Sequence, residues 1–313
     1  MMTTTKLAAH NVVAKRKLGD EIPAIVKILS YILTSLFALA CVLPLIMVVS
    51  VSVTDEVTLR LNGYSIIPAK FSFAAYKYIF TNSGQVLQSY LVTIASTVSG
   101  VALGLVLMSS LAYVISRDNF AYRKQFTFLI FFTMLFSGGM LSSYIINTNV
   151  LKLRDTFAAL VLPACVSPMY VMILKSYMRT NIPLSVVESA KMDGASEIRC
   201  YMSIVLPMAL PSIATIALFM TINYWNSWYH AFLYVRRNTL IPIQLLINRI
   251  EKEIQYLAQA GGGGSAMLTM QEDIPSESVK MALVVVIVVP ILIAYPFFQR
   301  FFVKGITLGA VKE

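Results

Sequence analysis

Residues 188–207 read Glu-Ser-Ala-Lys-Met-Asp-Gly-Ala-Ser-Glu-Ile-Arg-Cys-Tyr-Met-Ser-Ile-Val-Leu-Pro, a polar passage in the middle of a very apolar chain. Pro183 stands just ahead of it, where proline suits the first turn of a helix. Ser185 and Glu188 have the Ser-x-x-Glu spacing of a capping box. Asp193-Gly194 is a turn signal. Helical pattern resumes near Ser196 and runs to Leu206-Pro207. The expected shape is a short helix, a glycine turn and a second helix that enters a membrane. Such a polar elbow between two spans is a good handle for a soluble partner.

Composition supports the membrane setting. The 313 residues are 58% hydrophobic and 13% charged, against roughly 25% charged in soluble domains. Mean hydropathy is +0.73. The net charge of +10 sits beside apolar runs and not on a polar domain, so it reads as a topology signal and excludes a nucleic-acid binder. Cys41, Cys165 and Cys200 have no metal or redox spacing and read as small hydrophobes, while His10 and His230 lie too far apart to form a metal site.

Working outward, residues 1–24 form a polar, basic tail without a removable signal peptide. Residues 25–313 form one membrane domain. A bilayer core of about 30 Å takes about 20 helical residues. Apolar runs of sufficient length fall at about 25–53, 86–115, 126–146, 157–177, 207–229 and 281–298, and the elbow occupies 181–206. The fold class is therefore all-α, an integral membrane protein of six transmembrane helices. The second run carries Gly100 and Gly104, whose small surfaces permit close packing within the subunit. Ser137-Gly138-Gly139 breaks the third, and Pro163 and Pro168 kink the fourth. Six spans place both termini and the elbow in the cytoplasm. Residues 231–280 read as a long outer polar segment, including the linker-like Gly261-Gly262-Gly263-Gly264-Ser265, native or engineered. Arg236, Arg237, Arg249 and Lys252 lie in it; long outer loops count little in the charge rule.

The middles of the predicted spans lack Asp, Glu, Lys and Arg, which disfavours an ion-coupled carrier. No phosphate-binding Gly-x-x-x-x-Gly-Lys-Ser/Thr loop is present. No cluster of His, Cys or acids has catalytic spacing, so no catalytic or metal residue is assigned. If this chain transports actively, another chain must hydrolyse the nucleotide.

The passage resembles the EAA loop of type I ABC-importer permeases: Glu-Ala-Ala, three residues, Gly, nine residues, Ile-x-Leu-Pro. Glu188, Ala190, Gly194, Ile204, Leu206 and Pro207 match at that spacing, and Ser189 stands for the second small residue. The phrase 112–117, the Trp-Asn segment Trp225-Asn226 and the ending 301–312 are similar to the carbohydrate branch, comparable to the smaller maltose permease subunit. The resemblance implies the type I importer permease fold, with a cytoplasmic coupling helix. It implies a multi-pass permease of the bacterial cell membrane, ATP-driven and importing carbohydrate, an oligosaccharide, by alternating access. A non-sugar solute, an ion-coupled carrier or a membrane scaffold remain the alternatives. Coupling to the ATPase would fall to Glu188, Ser189, Ala190, Asp193, Gly194, Ala195, Ile204, Leu206 and Pro207. It further implies a second permease subunit (a heterodimer), two cytoplasmic ATPase subunits that hold ATP and magnesium, and an extracytoplasmic solute-binding protein. This chain itself would bind no cofactor. Tyr144, Asn147, Asn223, Trp225, Asn226 and Tyr229 are candidates to line a sugar path, since rings stack on sugars and amides bond hydroxyls; the plain reading of such residues is interface anchoring.

Overall fold

The computed structural model describes residues 23–81, 83–260 and 276–310. The tail up to residue 22 and the glycine run at 261–265 lie outside them. The described residues are almost wholly helical, with one isolated bridge between Thr54 and Phe71 and no strand.

The chain divides after Met47. The first unit is the bulk of helix α1 (Ala24–Ser52). From Ala24 to Met47 its side chains are exposed although nearly all are apolar. Water does not suit such a surface; lipid or another apolar chain does.

The second unit begins with two short helices, α2 (Glu56–Asn62) and α3 (Ala74–Thr81). Helix α4 (Ser83–Ser116) follows and forms its spine. Among the described residues, α1 and α4 are long and apolar enough to cross a membrane unbroken. Three further candidates are bent pairs. Helix α5 (Arg123–Leu135) and helix α6 (Gly139–Ile145, extended to Val150 by a π turn) meet at 116°. Gly139 sits at the break with φ +77°, a conformation that glycine adopts without penalty. Helix α7 (Ala158–Val161, then a 3-10 turn to Ala164) meets α8 (Pro168–Asn181) at 52°, at the predicted prolines. The third expected run is thus broken where the sequence places its Ser137-Gly138-Gly139 interruption, into two arms.

Helices α9 (Leu184–Met192) and α10 (Glu197–Cys200) make the elbow. A π turn (Tyr201–Val205) and α11 (Leu206–Met208) lead into α12 (Leu210–Trp225). The elbow's second arm bends by 77° before α12, so it does not run straight on into the fifth run as expected. Pro207 and Pro211 flank this corner, and each lacks the N–H that would bind the preceding turn.

The polar segment after 231 also differs from expectation. It takes in most of helix α13 (Tyr229–Tyr234), which begins at the end of the fifth expected run, and an 18-residue amphipathic helix, α14 (Ile243–Ala260). Ile243 and Ile247 are buried on α14, while Arg249, Lys252 and Glu253 are exposed. The last helix, α15 (Ser276–Ala310), contains the sixth expected run.

Helix α4 packs against α8 and α12, and the cores run along these contacts. Met108, Ala112 and Ile115 of α4 meet Val171, Leu174 and Met178 of α8 and Ile216 and Met220 of α12. A second core joins α3, α12, α14 and α15 through Ile79, Trp225, Ile243 and Leu283. Tyr224 explains the fit at Gly100: a Cβ there would land on its ring. The Tyr224 hydroxyl donates to the Val161 carbonyl (2.7 Å), a group next to the helix break. A Cβ at Gly104 would land on the Cys165 carbonyl oxygen and the Met220 side chain. The two glycines therefore serve packing within this subunit.

One carboxylate starts the last helix. Glu56 accepts from the backbone N–H of Glu277 (3.3 Å) and Ser278 (3.1 Å), and from the Ser278 hydroxyl (2.8 Å). These bonds outweigh partial burial and hold its carboxyl below the usual range. Replacing Glu56 by alanine removes a helix-end acceptor, a change that costs about 0.5–2 kcal/mol. A lowered thermal midpoint of the purified protein is the expected result.

Candidate functional site

The elbow is built around its glycine. Helix α9 ends at Asp193, and Gly194 follows with φ +83°. The Gly194 N–H donates to the Lys191 carbonyl (3.0 Å) and the Ala195 N–H to the Ala190 carbonyl (2.9 Å). This is the paired closure of a Schellman motif, in which apolar residues on either side of the turn also pack together. Ala190 and Ala195 fill those places and lie against the main core. The small residues of the passage therefore have a geometric cause.

The helix starts differ from the sequence expectation. Extended Pro183 occupies the cap of α9 with no side-chain bond, so Ser185 falls inside the helix and no capping box forms. Ser196 caps α10, its hydroxyl accepting from the Arg199 N–H (3.4 Å).

The elbow is anchored from beneath. Val187, Cys200, Val205 and Ala209 are buried in the core shared with α4 and α8. Glu197 ties its rim to α4: it pairs with Lys191 and accepts from the Tyr113 hydroxyl (2.8 Å). The Tyr113 ring meets that of Tyr201 at 5.2 Å, and the Tyr201 hydroxyl bonds Ser109 (2.7 Å). The buried Arg117 guanidinium lies 4.7 Å from the centre of the Tyr113 ring.

The outer surface of the elbow is left open. Glu188, Ser189, Asp193 and Gly194 are exposed, Met192 is 88% exposed and Ile198 is 73% exposed. Ile204 and Leu206 are half-buried and Pro207 is exposed at the corner. Nothing in the spacing pointed to Tyr113 or Glu197 as the tie, because a contact between residues 84 positions apart leaves no local signal.

Lys191 first, and the Tyr113 hydroxyl after it, hold the Glu197 carboxyl below its ordinary value of 4.5 against partial burial. A depressed carboxyl supports the folded state fully above the ordinary value and loses that support as pH falls through the folded value. Acidification below 4.5 is thus expected to loosen the elbow. Rising reactivity of buried Cys200 toward dithiodipyridine measures it, and Tyr113→Phe should move the onset to higher pH.

The six path candidates do not gather in one place. Tyr144 stacks on Tyr234 (5.9 Å between ring centres), and the Asn147 amide donates to the Tyr234 hydroxyl (3.0 Å). Trp225 is buried; its indole N–H donates to the Ile287 carbonyl (3.3 Å), tying α12 to α15. Asn223 and Asn226 are exposed near the end of α12, and the Asn226 amide donates to the Ile222 carbonyl (2.9 Å). Tyr229 is exposed beside Trp228, edge to face.

No protein-family model matches the chain. It is 39% identical over 277 residues to the polygalacturonan/rhamnogalacturonan transport system permease protein YtcP of Bacillus subtilis, covering 88% of this chain and 94% of that protein. It is 36% identical over 272 residues to the protein LplC of the same species, covering 87% and 89%. Among solved structures, a bacterial ABC transporter involved in the import of the acidic polysaccharide alginate superposes with a TM-score of 0.77 at 27% identity, over 89% of this chain and 96% of that one. With its helical fold and membrane-length runs, the chain belongs to the permease subunits of carbohydrate ABC transport systems, integral proteins of the cell membrane.

Proposed function

We propose that this permease forms one half of the gate of an ATP-driven importer of oligosaccharides made from acidic sugars. It would pair with a second permease, receive sugar from an extracytoplasmic solute-binding protein, and be driven by two cytoplasmic ATPases that hold ATP and magnesium. Six spans, at about 25–53, 86–115, 126–146, 157–177, 207–229 and 281–298, would place both termini in the cytoplasm. The uronate polymers named for the relative and the solved transporter support the acidic substrate.

The observation that carries the coupling role is the elbow's build. Its underside is locked into the core through Val187 and Cys200, while Met192, Ile198, Glu188 and Asp193 stand clear. A partner gripping that face moves α4 and α8 with it. Closure of the ATPases on ATP would swing the elbow and open the path outward; hydrolysis would reset it.

The test places a single cysteine at Ser189 after Cys41, Cys165 and Cys200 are replaced. A membrane-impermeant maleimide should label it in inside-out vesicles and not from outside, and bound ATPase should protect it. Labelling from the outer face, or uptake by the permeases with no ATPase present, overturns the reading.

A further inference from the structure

Helices α13 and α14 enclose a cleft of about 340 Å³ lined by Trp228, Phe232, Arg236, Asn248, Arg249 and Lys252, with Val235 and Leu245 at its apolar base. Three cations share this small volume with no acid in its lining. Among the described residues, none of the three forms an ion pair with a carboxylate. The backbone N–H of Arg236 is held by Asp155 Oδ1 (2.5 Å), which fixes where its side chain begins. Lys252 lies 5.8 Å from the centre of the Phe232 ring, and the rings of Trp228 and Phe232 stand 5.9 Å apart, edge to face.

Like charges so close repel unless something negative sits between them. Guanidinium forks match carboxylates in two bonds at once. Aromatic faces take the C–H faces of sugar rings, and the Asn248 amide serves hydroxyls. A neutral sugar would use the rings and the amide and leave the cations idle. An anionic sugar uses all of them.

We infer that this cleft is a binding site for the carboxylate of a uronic-acid residue in the transported oligosaccharide, with Arg249 and Lys252 as the carboxylate's partners and Trp228 and Phe232 as its stacking faces. It rests on the acidic-substrate reading and adds where that acid is recognised. The cleft lies in the segment that follows the fifth span, so it would meet the sugar before the gate does.

The assembled transporter in nanodiscs is tested with labelled trigalacturonate and its carboxyl-reduced counterpart, by equilibrium binding and by uptake in proteoliposomes. Each hydrogen bond to a charged group that is lost weakens binding by roughly ten- to a hundredfold. Arg249→Gln combined with Lys252→Gln should therefore lower the preference for the acidic over the reduced trimer at least tenfold. Trp228→Ala should weaken binding of both trimers and leave their ratio near that of the wild type. Wild-type transporter that takes up neutral trimers and ignores the acidic one overturns the substrate reading and the site with it. Acid-selective wild type, with selectivity untouched in the double variant, overturns the site alone. Native mass spectrometry supplies the last arm: a double variant that keeps its selectivity but sheds bound phosphatidylglycerol assigns the cleft to a lipid phosphate and also overturns the proposal.

Discussion

Valine at position 194 should reduce uptake at least tenfold and release the ATPase from the purified complex, while the permease still reaches the membrane in normal amount. The reason is the backbone. Gly194 holds φ +83°, and a Cβ there would meet nothing within 4 Å. The substitution causes no clash; it opposes a left-handed conformation that costs an L residue about 1–2 kcal/mol. A β-branched side chain is among the worst suited to it. Two bonds depend on that conformation, Gly194 to Lys191 and Ala195 to Ala190. Without them α9 and α10 lose their fixed angle, and the exposed face of the elbow no longer presents one shape. Asparagine tolerates the left-handed region, so Gly194→Asn should keep Cys200 protected and recover part of the uptake. Wild-type uptake with bound ATPase in the valine variant would refute a coupling role for this turn.

The largest effect on stability is expected at Gly104. Its missing Cβ leaves room for the Cys165 carbonyl oxygen and for Met220. A carbonyl in the backbone between α7 and α8 cannot swing aside as the Met220 tip can, so Gly104→Ala must push α4 away from that backbone. Overpacking of this kind costs about 1–3 kcal/mol. The thermal midpoint in detergent should fall by roughly 2–4 °C per kcal/mol. Gly100→Ala should act similarly through Tyr224, whose ring is pinned by its bond to Val161. Gly84→Ala is the matched control on the same helix: a Cβ there meets nothing within 4 Å, and the midpoint should hold. Equal midpoints for all three variants would contradict the packing described.

How much of this was readable beforehand follows from the range of each interaction. The runs at 25–53 and 86–115 appear as α1 and α4 within a few residues, because long apolar stretches carry their own signal. The breaks at Ser137-Gly138-Gly139 and Pro163 were equally plain. Their angles were not, since a glycine or proline permits a bend and packing sets its size. The 77° corner before α12 shows the same limit at Pro207 and Pro211. Helix α14 was legible in the i, i+4 spacing of Ile243 and Ile247, yet its charged outer face made the segment read as a loop. In the elbow, the turn at Asp193-Gly194 was local and visible. The Tyr113–Glu197 tie spans two distant helices and was not. Tyr144 and Asn147 were singled out for sugar, and what they meet is Tyr234, which no short-range pattern indicates.

The bare flank of α1 bears on how the molecule is made. From Ala24 to Met47 its hydrocarbon side chains find no shelter against their own unit. A chain released into water with that helix complete would stick to other such chains before anything else could cover it. Synthesis and delivery to the bilayer must therefore run together, and a copy that outpaces its delivery is a candidate for destruction, not storage.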